Sequence, residues 1–336
     1  MGPGTAPSVE RVPAAPRGSE VRARSLPIVH HPAYDARFDP SHRFPMGKFG
    51  WVARLLREDG LVPGGYHAPA RAPADWIGRV HDPAYVARVF GARCMPHEER
   101  RIGFAVDERV AERSRRATAG TYLTALLALE HGIACNTAGG SHHAGPGGGA
   151  GFCVFNDVAV AARALLDTGR VERIAVLDLD VHQGDGTARI FAEEPRVLTV
   201  SIHAENNYPD AKATSDLDIG LPDGTGDEDY MATLEGVLPR VLAHRADLVF
   251  LNAGVDPHRD DRLGRLSLTD VGLMRRDLAA IGLFRSRDLP VAGVLGGGYD
   301  RDLRTLARRH TTLHRAAWHV WSTERGERVP WRAAKG

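Results

Sequence analysis

Four ionisable side chains lie within eight residues of one another in the stretch IAVLDLDVHQGDGT, residues 174–187. Asp178, Asp180 and His182 follow an apolar run at a spacing of two, and Asp185 comes next. The run predicts a buried parallel strand, and the spacing predicts three side chains on one face of an extended chain. Two carboxylates and an imidazole on one face require a cation or protons between them. We expect a metal site here; an ion-paired strand end is the plainer alternative.

A second unusual stretch is AGGSHHAGPGGGAGF, residues 138–152, which is rich in glycine and contains His142 and His143 side by side. It has no phosphate-loop lysine and no GxGxxG between a strand and a helix, which argues against a nucleotide loop. Glycines at this density allow the backbone to approach a ligand closely. A flexible linker is the alternative, but it explains neither the paired histidines nor Phe152.

The elements that must position these residues alternate between strand and helix. Strands are predicted near 26–29, 133–135, 174–180, 197–203, 247–252 and 291–295. Helices are predicted near 48–59, 108–130, 156–166, 186–193, 227–244, 269–287 and 300–323, with a polar loop at 204–226. This alternation predicts an α/β fold with a parallel sheet and helices on both faces. Because parallel strands end at one edge, the motifs SHHAG, DLDVHQGD, AGVD and GGGYD are expected to converge there.

The converging set supports metal-dependent hydrolysis. Asp180, His182 and Asp256 are candidate ligands that leave a coordination position open, and their mixed oxygen and nitrogen donors suit zinc or ferrous iron. A water bound to such a metal has a pKa lowered to about 7. His142 and His143 are candidate acid and base, and the spare carboxylates of Asp178 and Asp185 are candidates to orient them. Tyr299 is a candidate donor to a developing oxyanion, and no GxSxG motif supports a covalent serine mechanism.

Composition limits the classes of partner. The chain has 336 residues, 43% hydrophobic and 25% charged, with a formal net charge of +1, which gives no general case for nucleic acid or an anionic membrane. Cys94, Cys135 and Cys153 lack metal-site spacing and predict free thiols in a reducing compartment. With no apolar signal core, we expect a cytoplasmic protein. We expect a disordered tail at 1–24, a single catalytic domain at 25–323 and a polar tail at 324–336.

Five segments together resemble the zinc-dependent histone deacetylase superfamily, which includes bacterial acetylpolyamine and acetoin-utilisation relatives. They are GGSHHAG, GFCVFND, DLDVHQGDG, NAGVDPHRDDRLG and GGGYD, in that order. The segments HRFPMGKFG and IHAENNYP look most like the class IV branch and its bacterial relatives. The resemblance implies the three-layer arginase/deacetylase fold with a central eight-stranded parallel sheet.

The resemblance also implies a role for each site residue. Zinc ligands fall on Asp180, His182 and Asp256; His142 pairs with Asp178, His143 pairs with Asp185 and acts as general base and acid, and Tyr299 polarises the scissile carbonyl. The Gly151 carbonyl accepts the substrate amide, and Phe152 forms one wall of the acyl-lysine tunnel. The opposite wall is usually Phe, and the nearest match here is Tyr208, which makes the rim more polar. A structural potassium ion maps to the carbonyls of Asp178, Asp180, His182 and Ile202 and the Ser201 hydroxyl.

The implied activity is hydrolysis of a linear amide, either acyl-lysine in a protein or peptide or a small acyl-amine. One alternative is an acetylpolyamine or secondary-metabolite amidohydrolase, favoured by the bacterial-looking composition. A non-catalytic acyl-lysine-binding protein is disfavoured, because no ligand is lost and Tyr299 is present. Arginase chemistry is disfavoured because Gln183 and Gly184 stand where a second metal would require a carboxylate. The acyl chain length, the amine part, the oligomeric state and the choice between zinc and iron stay open at this point.

Overall fold

The structure is a computed structural model that describes residues 25–326. The predicted tail at 1–24 lies outside the described residues, as does most of the predicted tail at 324–336, whose first residue ends the last helix. Seven strands are present in the described part: β1 Ile28–Val29, β2 Ile133–Asn136, β3 Ile174–Asp178, β4 Val197–Ala204, β5 Leu217–Leu221, β6 Leu248–Asn252 and β7 Val291–Val294. The helices are α1 Lys48–Glu58, α2 Ala74–Ile77, α3 Pro83–Phe90, α4 Pro96–Ile102, α5 Glu108–His131, α6 Asp157–Asp167, α7 Asp185–Phe191, α8 Asp227–Ala243, α9 Asp270–Arg285 and α10 Leu303–Glu324, with a 3-10 turn at Pro32–Tyr34.

The strands form one parallel sheet in the order β1-β2-β7-β6-β3-β4-β5. The parallel α/β prediction is confirmed, but the strand number of eight is wrong for residues 25–326. Beyond β1 the sheet continues only as a single-residue bridge between Val29 and His67. Pro69 follows two residues later, and proline has no N–H to donate to a ladder.

Helices cover the sheet in two groups. In the first group, α5 packs on β2 and β7 and also contacts α6, and α6 contacts α7. In the second group, α10 packs on β2 and contacts α1 and α9, and α9 contacts α8. Local signals fix the helix ends. The Asp107 side chain accepts from Val110 N at the start of α5, and the Asn156 side chain accepts from Ala159 N at the start of α6.

Two local predictions are wrong. The segment 204–226 contains β5, an edge strand whose side chains alternate between half-buried and exposed, so its weak apolar pattern resembled a loop. Contrary to the prediction, Asp178, Asp180 and His182 do not lie on one face of an extended strand, because β3 ends at Asp178. Asp178 Oδ1 accepts from Asp180 N at 3.1 Å and Asp180 Oδ1 accepts from His182 N at 3.0 Å. These bonds turn the backbone out of the strand, as short carboxylate side chains do at turns.

Gly140 shows how closely the ends of β2, β6 and β7 approach. Its φ is +82°, and a Cβ there would overlap Asn252 Oδ1 and lie 2.7 Å from Gly296 N. We expect Gly140→Ala to lower the free energy of unfolding by about 3 kcal/mol or more, because it adds overlap with backbone to a left-handed conformation. Gly169→Ala is the matched control, since Gly169 has φ +64° but open space around its Cβ. Gly169→Ala should lower the free energy of unfolding by about 1 kcal/mol. Equal losses in urea unfolding would contradict the close approach.

Candidate active site

The three predicted metal ligands lie together at the carboxyl edge of the sheet. Asp180 and His182 follow β3, and Asp256 follows the neighbouring strand β6. His182 Nδ1 is 3.1 Å from Asp180 Oδ1 and 3.2 Å from Asp256 Oδ2. One ligand atom from each of the three lies within 4.8 Å of the others. All three residues are buried, and both aspartates are fully so.

The donor set fits a cation. Asp256 Oδ2 is buried and has no hydrogen-bond partner among the described residues, which is costly for a carboxylate unless a positive charge binds it. Burial and the charge of Asp180 raise the pKa of Asp256, whereas the two carboxylates outweigh burial and raise the pKa of His182 to about 10. Thus a proton or a metal ion must lie between these groups. Two oxygen donors and one nitrogen donor are the mixture that zinc and ferrous iron accept.

Backbone N–H groups hold the ligands from behind. Val181 N donates to Asp256 Oδ1 at 2.9 Å, and Gly297 N donates to Asp180 Oδ2 at 2.6 Å. A Cβ at position 297 would overlap Asp256 Oδ2, so the backbone after β7 must lie directly against both carboxylates. The ligand positions therefore depend on three neighbouring strands.

The two histidines of the glycine-rich loop have separate carboxylate partners, as predicted. His142 Nδ1 donates to Asp178 Oδ2 and His143 Nδ1 donates to Asp185 Oδ1, both at 2.7 Å. The ring centroids are 4.1 Å apart. Both histidines are about 95% buried, so neither carboxylate pair is screened by bulk water.

The surroundings separate the charges of the two histidines. Burial lowers the pKa of His142, but the carboxylates of Asp178 and Asp180 outweigh it and raise that pKa to about 9. Burial and the neighbouring charge of His142 lower the pKa of His143 to about 4. At neutral pH His142 is therefore positive and His143 neutral, with Nε2 free to accept a proton. Two adjacent groups with opposed pKa values are typical of acid–base sites.

Tyr299 approaches the same site from the segment after β7. It is 8% exposed, its ring centroid is 6.3 Å from that of His182, and its backbone N donates to Asp261 Oδ2 at 2.6 Å. Burial and the carboxylates of Asp256 and Asp180 raise its pKa well above the usual value, so the phenol stays protonated and can donate.

The two residues predicted to line the substrate tunnel, Phe152 and Tyr208, lie beside His143 and Tyr299. Tyr208 lies edge-on to His143 at 4.8 Å and is 40% exposed, whereas the Phe152 ring is 5.9 Å from the Tyr299 ring. Gly151 lies between His143 and Tyr208, where an added Cβ would meet His143 Cδ2 at 2.6 Å. Substitution at Gly151 would therefore push the general-base candidate and one wall apart.

The predicted potassium residues lie on neighbouring strands. Asp178 on β3 pairs in register with Ser201 on β4, and Ile202 follows. Ser201 Oγ is 2.9 Å from His203 Nδ1. The pairing of β3 with β4 therefore places Ser201 and Ile202 next to the segment from Asp178 to His182.

Sequence patterns missed several residues that hold the site. Asn252 Nδ2 donates to Asp178 Oδ1 at 2.9 Å, and Asp157 accepts from Gly140 N and Ser141 N at 3.1 and 2.7 Å. Lys48, predicted only as the first residue of a helix, is 1% exposed and donates to Gly296 O and Gly298 O at 3.3 Å. A lone lysine at a helix start has no sequence signal for burial.

Residues 42–316 match the histone deacetylase domain. The chain belongs to the histone deacetylase family. It is 32% identical to a "Probable deacetylase" of Archaeoglobus fulgidus over 81% of this chain and 80% of that protein. It is 47% identical to an uncharacterized protein of Picosynechococcus over 88% of this chain and 99% of that protein. The structure of the HDA15 HD domain superposes with a TM-score of 0.75 at 23% identity, covering 88% and 90% of the two chains, which confirms the deacetylase fold.

Membership of the histone deacetylase family makes this chain an amide-bond hydrolase of the deacetylase type. Cys94, Cys135 and Cys153 form no disulfide in the structure, and Cys135 and Cys153 are buried. Within residues 25–326, no helix has the length and apolar character that a membrane span requires.

Proposed function

We propose that this deacetylase-family chain is a zinc-dependent deacylase that hydrolyses an N-acyl amide, either acyl-lysine or a small acyl-amine. The observation that carries the proposal is the position of His142 and His143, each bonded to its own buried carboxylate, beside the buried cluster of Asp180, His182 and Asp256. A metal site flanked by two carboxylate-bonded imidazoles and a buried phenol offers the acid–base and electrophilic groups that metal-assisted amide hydrolysis uses.

Asp180, His182 and Asp256 would hold the metal, with zinc as the proposed ion and ferrous iron as an acceptable one. When bound, the metal acts as a Lewis acid on the substrate carbonyl and lowers the pKa of a water to about 7. The backbone donors Val181 N and Gly297 N keep the two carboxylates oriented toward the cation. A structural potassium ion at Asp178, Asp180, His182, Ser201 and Ile202 would stabilise the turn that carries these ligands.

His143 is the proposed general base and acid. Its Nδ1–H is held by Asp185, which leaves Nε2 to take a proton from the attacking water and return it to the leaving amine. His142 is bonded through Nδ1 to Asp178, and the carboxylates of Asp178 and Asp180 raise the pKa of its imidazole. It supplies a fixed positive charge where negative charge develops on the substrate.

Tyr299 is the proposed electrophile for the substrate carbonyl. Its phenol stays neutral, and Asp261 and Lys48 hold the two ends of the peptide group that joins Gly298 to Tyr299. A prepositioned hydroxyl stabilises the oxyanion without reorganisation cost. Phe152 and Tyr208 would flank the alkyl chain that leads to the amide, and the Gly151 carbonyl would accept the amide N–H.

A hydrolysis panel on zinc-loaded protein tests the proposal. Acetyl-lysine peptide, a long-chain acyl-lysine peptide and acetylated polyamine are compared at equal concentration. We expect release of the free amine from at least one of them, with kcat at least about 10⁶-fold above the first-order rate constant of the uncatalysed hydrolysis. Preference for the polyamine would assign the small-amine alternative. Absence of turnover on all three, with zinc bound, would overturn the proposed function.

A further inference from the structure

Exposed arginines border the mouth of the active site, the opening between the proposed walls Phe152 and Tyr208. The guanidinium carbon of Arg43 is 5.9 Å from the centroid of the Phe152 ring, and Arg43 is exposed. Within residues 25–326 its side chain forms neither a hydrogen bond nor an ion pair. Its positive charge is therefore available to a substrate that enters past Phe152.

Arg101 is held beside the glycine-rich loop at the same mouth. Its backbone O accepts from Gly151 N at 3.1 Å, and its Nε donates to Gly149 O at 2.7 Å. Ile102, the next residue of α4, accepts from Phe152 N at 2.7 Å. These bonds fix an exposed guanidinium next to the loop that carries Gly151, and no carboxylate in the described part of the chain pairs with it.

The charge of Arg101 also reaches the other wall. Burial and the charge of Asp185 raise the pKa of Tyr208, whereas the charges of Arg189 and Arg101 oppose this increase, so both guanidinium groups lie near the phenol. Arg189 forms an ion pair with Asp185, which largely neutralises it. Arg101 has no such partner in the described chain, so this side of the mouth carries a net positive charge.

Carboxylates of the neighbouring loops do not cancel the positive charge. Asp210 is exposed two residues after Tyr208, but the Lys212 ammonium donates to the backbone carbonyls on both sides of Tyr208. The acidic residues that precede Arg43 line a separate surface groove, which holds equal numbers of acidic and basic side chains: Asp35, Asp39, Arg37 and Arg54. Because the whole chain has a formal net charge of only +1, the excess at the mouth is local.

We propose that the mouth selects substrates whose amine part carries carboxylates, and that the acylated lysine it takes lies in an acidic stretch of a protein. This inference rests on the proposed function, because the acyl amide must enter between Phe152 and Tyr208. Acidic residues beside that lysine would meet Arg43 and Arg101, whose planar guanidinium groups bind carboxylates through paired N–H donors. A polyamine or a lysine-rich segment would bring positive charge to the same place and be repelled.

The test compares kcat/KM on zinc-loaded protein for three peptides with one acyl-lysine, flanked on both sides by glutamate, glutamine or arginine. The acyl group is the one that turns over fastest in the hydrolysis panel. At low ionic strength we expect the glutamate peptide to exceed the glutamine peptide about threefold or more and the arginine peptide about tenfold or more. The preference should shrink in about 1 M salt, where the screening length is about 3 Å.

Two variants identify the residues responsible. Arg43→Glu reverses a charge without breaking a hydrogen bond of the described structure, and it should lower the ratio of glutamate to arginine peptide about fivefold or more. Arg101→Gln keeps a donor for Gly149 O, removes the charge and should lower the ratio about threefold. Arg240→Gln is the matched control and should leave the ratio unchanged. Arg240 is exposed near the end of α8, which leads to the start of β6, at the edge of the sheet opposite the mouth.

A pair of small substrates separates the sources of the carboxylate. Nα-Acetyl-Nε-acyl-lysine is compared with its C-terminal amide. A preference for the free acid without any effect of the peptide flanks would overturn the acidic protein as substrate and assign a small acyl-amino acid. Equal kcat/KM for the three peptides, or preference for the arginine peptide or for acetylated polyamine, would overturn selection by charge while the proposed function stands. Failure to hydrolyse any of these substrates with zinc bound would remove the proposed function itself.

Discussion

Replacing His143 by alanine is expected to lower kcat on acyl-lysine peptide by about 10²–10⁴-fold, the contribution of a positioned general base. His143 is neutral at working pH, since burial and His142 lower its pKa to about 4, and it is held by Asp185 with Nε2 free. The measurement is steady-state kinetics together with metal analysis of the purified protein. Metal content should stay at the wild-type value because no proposed ligand is altered.

Two comparisons sharpen the His143 result. His319→Ala removes an exposed histidine on α10 and should leave kcat unchanged. Asp185→Asn keeps the imidazole of His143 but weakens the hydrogen bond that orients it. The decrease in kcat should therefore be smaller than in His143→Ala. Full activity in His143→Ala would remove the proposed acid–base mechanism.

Asp256→Asn is expected to reduce metal affinity at least a hundredfold and to bring turnover to background. Loss of an outer hydrogen-bond partner alone costs about 10–100-fold, and Asp256 is a direct ligand in the proposal. Asp256 Oδ2 is buried without a hydrogen-bond partner in the described part of the chain, so a neutral amide there leaves Asp180 as the one anionic ligand of the proposed set. Equilibrium dialysis against zinc and against ferrous iron measures the affinity, and thermal unfolding with and without metal reports the linked stability.

Asp261→Asn distinguishes the loss of a metal ligand from the displacement of Tyr299. Asp261 is a neighbouring buried carboxylate, but its oxygens accept from Tyr299 N, Leu263 N and Gly264 N. This variant should keep the metal and lose kcat through a displaced Tyr299. Retention of wild-type zinc affinity by Asp256→Asn would contradict the ligand assignment.

Much of the site was predictable because its residues form local patterns at strand ends. Asp180 and His182 follow one apolar run and Asp256 follows another, and parallel strands end at the same edge. The pairing of His142 with Asp178 and His143 with Asp185 came from the family resemblance, and the structure shows both contacts. The number of strands was overestimated, because the edge beyond β1 carries only a one-residue bridge at His67.

The supporting residues could not be predicted in this way. Lys48 reaches Gly298 across 250 positions of sequence, and Asn252 reaches Asp178 across 74. Such pairs depend on how layers pack, which hydrophobic periodicity does not encode. Arg113 lies on the long helix α5, where arginine is ordinarily exposed, and only the fold shows that it lines the same pocket as His142 and His143.

The position of β7 has a consequence for how the enzyme is made. β7 is the last strand to leave the ribosome, yet it lies between β2 and β6. Until it inserts, β1 and β2 have no hydrogen-bonded connection to the other four strands, and the backbone that braces Asp180 is missing. When Asp180, His182 and Asp256 have already left the ribosome, the sheet is still in two parts. Partly folded chains with unpaired strand edges are prone to aggregate. Catalytic competence therefore requires the final strand, which joins the two parts of the sheet, and the residues after it, which include Gly297 and Tyr299.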